Sequence, residues 1–243
     1  MCTVTYLPLH KEGFLLTSTR DEKVQRQPAI PPKQYKSGES SIYYPKDPDA
    51  RGTWIATSLG EYSLCLLNGG IIPHQSNPPY RMSRGHIILD FFKHGNPDSF
   101  KAKYNFEGIE PFTLLIIGFE SRSLDEMRWD GNQVHHQQLN PEIPNIWSSV
   151  TLYSEEIINK RQDWFHEWLL TNPDFHIENA VNFHKNAGTG NPEIDILMNR
   201  DHVRTVSITS VFRSIALYGI YYEDVIEKKV TQMNNLGDLM FYL

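Results

Sequence analysis

The sequence predicts an α+β protein, antiparallel sheet with helices laid over it. Three observations carry this. Short β-prone runs fill the first and last thirds of the chain. Two helical stretches lie together just before the last group of strands. Strands and helices do not alternate regularly, as a parallel βαβ sheet or a barrel would require. With 243 residues, 40% of them hydrophobic and 12% aromatic, the chain can bury a sizeable core. No repeat, low-complexity tract or linker-like shift divides it, so residues 1–243 read as one domain.

Thr3 to Leu7 and Phe14 to Ser18 read as strands joined by a turn at His10 to Gly13. Arg20 to Lys23 reads as a charged turn. Pro28 to Pro32 reads as extended or looped chain, because proline fixes φ and restricts the residue before it. Gly52 to Ser58 and Tyr62 to Leu67 predict a hairpin, with Gly60 as a left-handed turn residue and Asn68-Gly69-Gly70 as the stop. Ser83 to Lys93 carries Ile87, Ile88, Phe91 and Phe92 at helical spacing. Phe112 to Phe119 predicts a buried strand, and Met127 to Gln138 a hairpin around Asp130-Gly131-Asn132. The clearest helix is Glu155 to Thr171, capped by Ser154 and acidic in its first turn. Its inward face is Ile157, Ile158, Trp164, Phe165, Trp168 and Leu169, with the two tryptophans as core residues. A second helix, Ile177 to Lys185, stops before Gly188-Thr189-Gly190. Thr205 to Val211, Ile215 to Glu223 and Lys228 to Met233 return to strands. The apolar segment from Asp238 to Leu243 reads as a buried last strand or a dimer contact, so an oligomer is open.

Composition narrows the function. Lys and Arg total 23 against 29 Asp and Glu, a net charge of −6, which argues against a nucleic-acid-binding surface. Cys2 and Cys65 are too few for a disulfide framework, and no CxxC offers a zinc knuckle. Cys65, between Leu64 and Leu66, reads as a buried structural thiol. There is no HExxH, and His86 and Asp90 lack a third ligand, so no metal is expected. The opening residues lack a basic stretch before an apolar run, and apolar runs such as Leu114 to Phe119 fall well short of the roughly 20 residues of a spanning helix. These features predict a cytoplasmic protein without stable membrane insertion or cofactor, acting on a small-molecule substrate or ligand.

Chemistry concentrates near the start. Removal of Met1 would make Cys2 the first residue, and its own α-amine, of reference pKa about 8, can take the thiol proton. If the first two runs pair antiparallel, Arg20 leaves the second strand near Cys2. A guanidinium there can lower the thiol pKa or hold a substrate carboxylate, and Asp21 can bind the α-ammonium. An ordinary solvated ion pair is the other reading of the same two residues. Asn68 can donate to a developing oxyanion, or serve only as the Asn of an Asn-Gly turn.

Together with Arg26 and Pro28, Met1-Cys2-Thr3 and Arg20-Asp21-Glu22 resemble the NRDE family, also called the transport and Golgi organisation family. Further matches come in order at Arg51-Gly52-Thr53-Trp54-Ile55-Ala56, Leu66-Leu67-Asn68, Ser83-Arg84-Gly85 and Pro111-Phe112-Thr113-Leu114-Leu115. The resemblance implies a fold similar to N-terminal nucleophile hydrolases, an αββα sandwich of antiparallel sheets covered by helices. The cysteine branch of that superfamily, with penicillin V acylase, bile salt hydrolase and acid ceramidase, cleaves linear C–N amide bonds. By that resemblance Cys2 is the nucleophile, Arg20 and Asp21 its electrostatic partners and Asn68 an oxyanion donor. Asn145 and Arg204 are the candidate positioning residues. Thr19 stands where the family signature begins with Asn. The resemblance also implies a non-catalytic alternative, since some members are implicated in haem homeostasis: a haem or small-ligand binding or trafficking protein. His135-His136 would serve it poorly, because adjacent strand residues point to opposite faces.

Overall fold

A computed structural model describes residues 3–9, 13–37, 40–215 and 217–236. Cys2, most of the predicted His10 to Gly13 turn and the segment from Asp238 to Leu243 lie outside the described residues. In chain order the elements are β1 (Thr3–Leu9), β2 (Gly13–Lys23), β3 (Ile30–Ser37), β4 (Ser40–Lys46), β5 (Ile55–Ser58) and β6 (Tyr62–Asn68). The helices α1 (Gly85–Phe91) and α2 (Pro97–Lys103) precede β7 (Phe112–Gly118), β8 (Ser123–Trp129), β9 (Val134–Leu139) and β10 (Asn145–Ser148). The helices α3 (Glu155–Thr171) and α4 (Ile177–Asn186) lead into β11 (Val203–Arg213), β12 (Tyr218–Asp224) and β13 (Lys229–Asn234). The predicted α+β class holds, with all strand pairs antiparallel.

The chain divides into two compact units. The first draws on residues 3–26, 142–148 and 152–236, and contains α3, α4 and a six-stranded sheet in the order β10-β1-β2-β11-β12-β13. Its helices cover one face of that sheet. Leu7, Leu15 and Phe212 of the strands pack against Phe165, Ala180 and Phe183 of α3 and α4, with Trp164, Trp168 and Leu169 half-buried around them. α3 runs over the predicted residues, and Ser154 caps it by accepting from Ile157 N.

The second unit spans residues 27–141 and 149–151, and holds α1, α2 and a seven-stranded sheet in the order β3-β4-β5-β6-β7-β8-β9. Burial of Leu64, Cys65, Leu66, Leu114, Leu115 and Ile116 makes β6 and β7 its centre. Pro31 and Pro32 sit on edge strand β3, where a missing N–H costs no ladder bond, and the register slips between Ile30 and Lys33.

Four sequence expectations are corrected. Arg20 to Lys23 is not a turn: β2 continues through it because β11 pairs out to Lys23, opposite Val203. Gly60 does not adopt a positive φ, whereas Gly69, at the predicted stop, does (φ 88). The first helix covers only Gly85–Phe91 of the predicted Ser83 to Lys93. Ile215 belongs to the turn between β11 and β12, closed by Ser214 N donating to Leu217 O at 2.7 Å. Three further elements had no sequence expectation: β4, α2 (capped by Asn96, with Pro97 at its first position) and β10, which exists by pairing with β1. Among the described residues no helix is long and apolar enough to cross a membrane.

Candidate active site

The described chain begins at Thr3, the residue after Cys2, and Thr3 is held from two sides. Its N–H donates to Thr19 Oγ1 (3.2 Å), and the Thr19 hydroxyl lies 3.4 Å from Thr3 O, towards which it can donate. The threonine that departs from the family signature therefore takes a backbone-anchoring place on β2. On the other side, Arg161 of α3 donates from Nη1 to Thr3 Oγ1 at 2.6 Å. Its Nε and Nη2 donate to Ile194 O (3.1 and 3.0 Å), and Nη2 also donates to Asp195 O at 2.6 Å. The guanidinium carbon sits 3.7 Å from the centroid of the Tyr153 ring.

Tyr153 links this arginine to Asp21. Its hydroxyl donates to Asp21 Oδ2 at 2.8 Å, while Thr205 Oγ1 donates to Asp21 Oδ1 at 2.5 Å. Thr205 in turn accepts from Met198 N at 2.9 Å. Asp21 is thus a buried carboxylate held by two hydroxyls, and fixed hydroxyl donors are what make such a group tolerable away from water. Two residues along β1 from Thr3, Thr5 Oγ1 shares a 2.9 Å hydrogen bond with His184 Nε2. Burial, with the Arg161 charge second, pushes the His184 imidazole down to about 3, so it is neutral at ordinary pH.

Arg20 and Asp21, adjacent in sequence, serve opposite faces of the sheet. Asp21 is on the face covered by α3 and α4. Arg20 is on the other, where Nη2 donates to Glu22 Oε2 at 3.3 Å. A bulge matches this split on the neighbouring strand: Thr205 pairs with Asp21 and Ser207 with Arg20, with Val206 left out of register. Arg204 pairs with Glu22 across the same ladder and falls on the Arg20 face; its Nε is buried and, among the described residues, has no partner.

Asn145 pairs with Tyr6, three registers along β1 from Thr3, and its Nδ2 donates to Ile143 O at 2.7 Å. Asn68 ends β6 in the second unit. Its backbone is held by Ser149 Oγ donating to its carbonyl (2.8 Å) and by the following Gly69, whose N–H donates to Pro111 O (3.0 Å). Among the described residues the Asn68 side-chain amide has no hydrogen-bond partner, which leaves it available as a donor.

His135, His136 and His86 are engaged by other partners. His135 Nε2 donates to Asp130 Oδ2 at 2.6 Å and His136 Nε2 to Asp125 Oδ1 at 2.8 Å. The Gln133 backbone amide, followed by His135, holds the Asp130 carboxyl down to about 2. His86 bonds Ala50 O, and Asp90 accepts from Tyr104 and Lys93. Among the described residues no three His, Cys, Asp or Glu side chains gather into a metal site. Cys65 is buried, as expected.

Sequence reasoning missed Arg161 and Tyr153. Arg161 did leave a signal: it stands four residues after Ile157 and four before Phe165, so a charged side chain interrupts the apolar stripe of α3. Tyr153, just before the cap, left none.

The sequence pattern of the Transport and Golgi organisation 2 family matches residues 1–226. No curated protein sequence matches the chain. Among solved structures, the Caenorhabditis elegans N-acylethanolamine-hydrolyzing acid amidase ortholog is similar with TM-score 0.59 at 11% identity, over 86% of this chain and 92% of that one. Conjugated bile acid hydrolase from Clostridium perfringens is similar in two variants. Its cysteine-to-alanine variant gives TM-score 0.61 at 8% identity, over 97% of this chain and 92% of that one. Its arginine-to-leucine variant gives 0.56 at 8%, over 96% and 92%. At these identities the likeness shows the fold alone, an α+β fold with two antiparallel sheets flanked by helices, similar to that of the amidase ortholog and the bile acid hydrolase.

Proposed function

The chain belongs to the Transport and Golgi organisation 2 family, and from that premise we propose that it is an N-terminal cysteine amidohydrolase acting on a linear amide C–N bond of a small substrate. The observation that carries this reading is the Asp21 carboxylate. It is fixed by Tyr153 and Thr205 on the strand whose Thr19 anchors Thr3, next in sequence to Cys2. A buried, oriented carboxylate in that strand is what an N-terminal ammonium needs as a partner.

In this reading, removal of Met1 frees the Cys2 α-amine, which takes the thiol proton. The thiolate attacks the amide carbonyl carbon, and the Asn68 amide with a backbone N–H stabilises the oxyanion. The ammonium then gives its proton to the departing nitrogen, leaving a thioester and a free amine. Water, deprotonated by the same α-amine, attacks the thioester; the acid leaves and the thiol is restored. Loss of one oxyanion donor typically costs about 3 kcal/mol in the transition state. Arg20, on the opposite sheet face from Asp21, is suited to lowering the thiol pKa or to holding a substrate carboxylate. Arg204 and Asn145 are proposed as positioning residues, Arg204 on the ground that its buried Nε has no partner among the described residues. The bile acid hydrolase whose fold is similar is represented by variants of a cysteine and of an arginine, the two residue types assigned here to Cys2 and Arg20. The same reading puts the protein in a reducing compartment such as the cytoplasm, where Cys2 stays a thiol.

Intact mass spectrometry before and after treatment with a small electrophilic acyl or alkyl probe tests it, with Cys2→Ala and Cys65→Ala as controls. The expected result is a protein lacking Met1 that takes one label rapidly and only when Cys2 is present. Retained Met1, or labelling no faster than that of a free thiol, overturns the mechanism; a haem titration of the intact protein would then be the next measurement.

A further inference from the structure

Outside the candidate active site, the first unit holds a cleft between α3 and α4 of about 470 Å³, within the usual size range of small-molecule sites. Its walls include Trp164, Trp168 and Phe183, with Glu167, Asn182 and Asn186 among them. Trp168 is locked by other rings. It stacks on Phe165 (centroids 6.0 Å, 15° between planes) and Phe175 (6.2 Å, 17°), and tilts against Phe183 at 5.1 Å. Trp164, half-buried one turn earlier, has no aromatic partner among the described residues, so its ring is not engaged by another. Glu167 is the one charged residue in the lining, and no lysine, arginine or histidine competes with it. Asn186 donates its Nδ2 to Asn182 O at 2.9 Å, which leaves its side-chain carbonyl as the free end of that amide.

We propose that this cleft binds a small organic cation of the quaternary ammonium class. The unengaged Trp164 indole offers a negative ring face, Glu167 supplies the matching charge, and the Asn186 carbonyl adds an acceptor, so the lining favours a positive ligand. A methylated ammonium fits better than a primary one. It is weakly hydrated, has no N–H that needs a partner, and its methyl groups bury apolar area against the indoles. The locked Trp168 and Phe183 form a preorganised wall, which reduces the ordering cost of binding.

The test titrates the full chain with choline chloride, and in parallel with its uncharged isostere in which carbon replaces the quaternary nitrogen, at matched ionic strength. Calorimetry and tryptophan fluorescence report binding. The expected result is a saturable choline signal with a markedly weaker response to the neutral isostere. Trp164→Leu should weaken choline binding about tenfold, and Glu167→Gln about threefold, since the first removes a cation–π face and the second an exposed charge. Glu167 is exposed on α3, so its substitution leaves folding intact, and a thermal melt checks Trp164→Leu. No saturable choline signal, equal binding of the neutral isostere, or unchanged affinity in Glu167→Gln together with a folded Trp164→Leu would each overturn the proposal. So would binding of a simple methyl glycoside in place of choline.

Discussion

His184 makes the stability of this fold depend on pH in a way that one substitution should remove. The side chain is fully buried, its Nε2 shares a hydrogen bond with Thr5 Oγ1, and Nδ1 has no partner among the described residues. A proton on Nε2 leaves only a lone pair unpartnered at Nδ1, a smaller cost than an orphaned N–H. Adding a second proton would place a charge beside the Arg161 guanidinium in a dry site, and the imidazole is accordingly pushed from 6.5 down to about 3. The unfolded chain takes up this proton below about pH 6.5, while the folded chain refuses it until about pH 3. Stability is therefore complete above the unfolded value and falls as pH drops through that window. Each pH unit is worth about 1.4 kcal/mol, so between pH 7 and pH 5 the loss from this one group is about 2 kcal/mol. Urea unfolding at the two pH values measures it. His184→Gln keeps a donor for Thr5 but cannot titrate, so the same drop in pH should cost the variant about 2 kcal/mol less than wild type. Equal losses in the two proteins would refute the reasoning, because a histidine that titrates normally in the folded state contributes no such difference.

Other substitutions address the network around Thr3 and Asp21 and the turn after Asn68. Arg161→Met strands the Thr3 hydroxyl and the Ile194 and Asp195 carbonyls, and should cost about 3 kcal/mol in chemical denaturation. Arg161→Lys should recover less than half of that, because an ammonium cannot reproduce the fork; full recovery would contradict the geometry. Tyr153→Phe removes one of the two hydroxyl donors to Asp21 and should cost about 1.5 kcal/mol, with slower Cys2-dependent probe labelling than wild type. Gly69→Ala should cost about 2 kcal/mol, since φ is 88° and a new Cβ would lie 2.5 Å from Val150 Cγ2. A thermal melt unchanged from wild type would show that this turn can relax.

Much of the fold was legible because its signals are local. Ile157, Ile158, Phe165 and Leu169 mark α3 by their spacing, Ser154 marks its start, and Asp130-Gly131-Asn132 marks a hairpin that forms where expected. β4 was hidden by Pro45 and by polar neighbours around Ile42, Tyr43 and Tyr44, which are buried only once the sheet assembles. β10 carries no signal of its own, being four residues on an edge whose existence depends on β1. Of the candidate site, Arg20 and Asp21 were readable as a pair of chemically useful residues, but their environment was not. A charged tetrad such as Arg20 to Lys23 has turn-like composition, and it becomes strand only because β11, almost two hundred residues later in the chain, supplies a pairing edge.

Neighbours a few residues apart are enough to set the helical period of α3 and α4, the cap of α3, the hairpin turns, the apolar runs of β6 and β7, and the order of residue types that identifies the family. Long-range packing settles which polar groups are buried and whom they meet. The apolar stripe of α3 marks Arg161 as a charged residue on the inward face, but only the tertiary structure supplies its partners, Thr3 and the Ile194 carbonyl. Likewise, the separation of Arg20 from Asp21 onto two sheet faces, and the slip at Val206 that carries Thr205 to one and Ser207 to the other, arise from register between distant strands. Burial and register depend on partners far along the chain, and a short-range pattern holds no information about either.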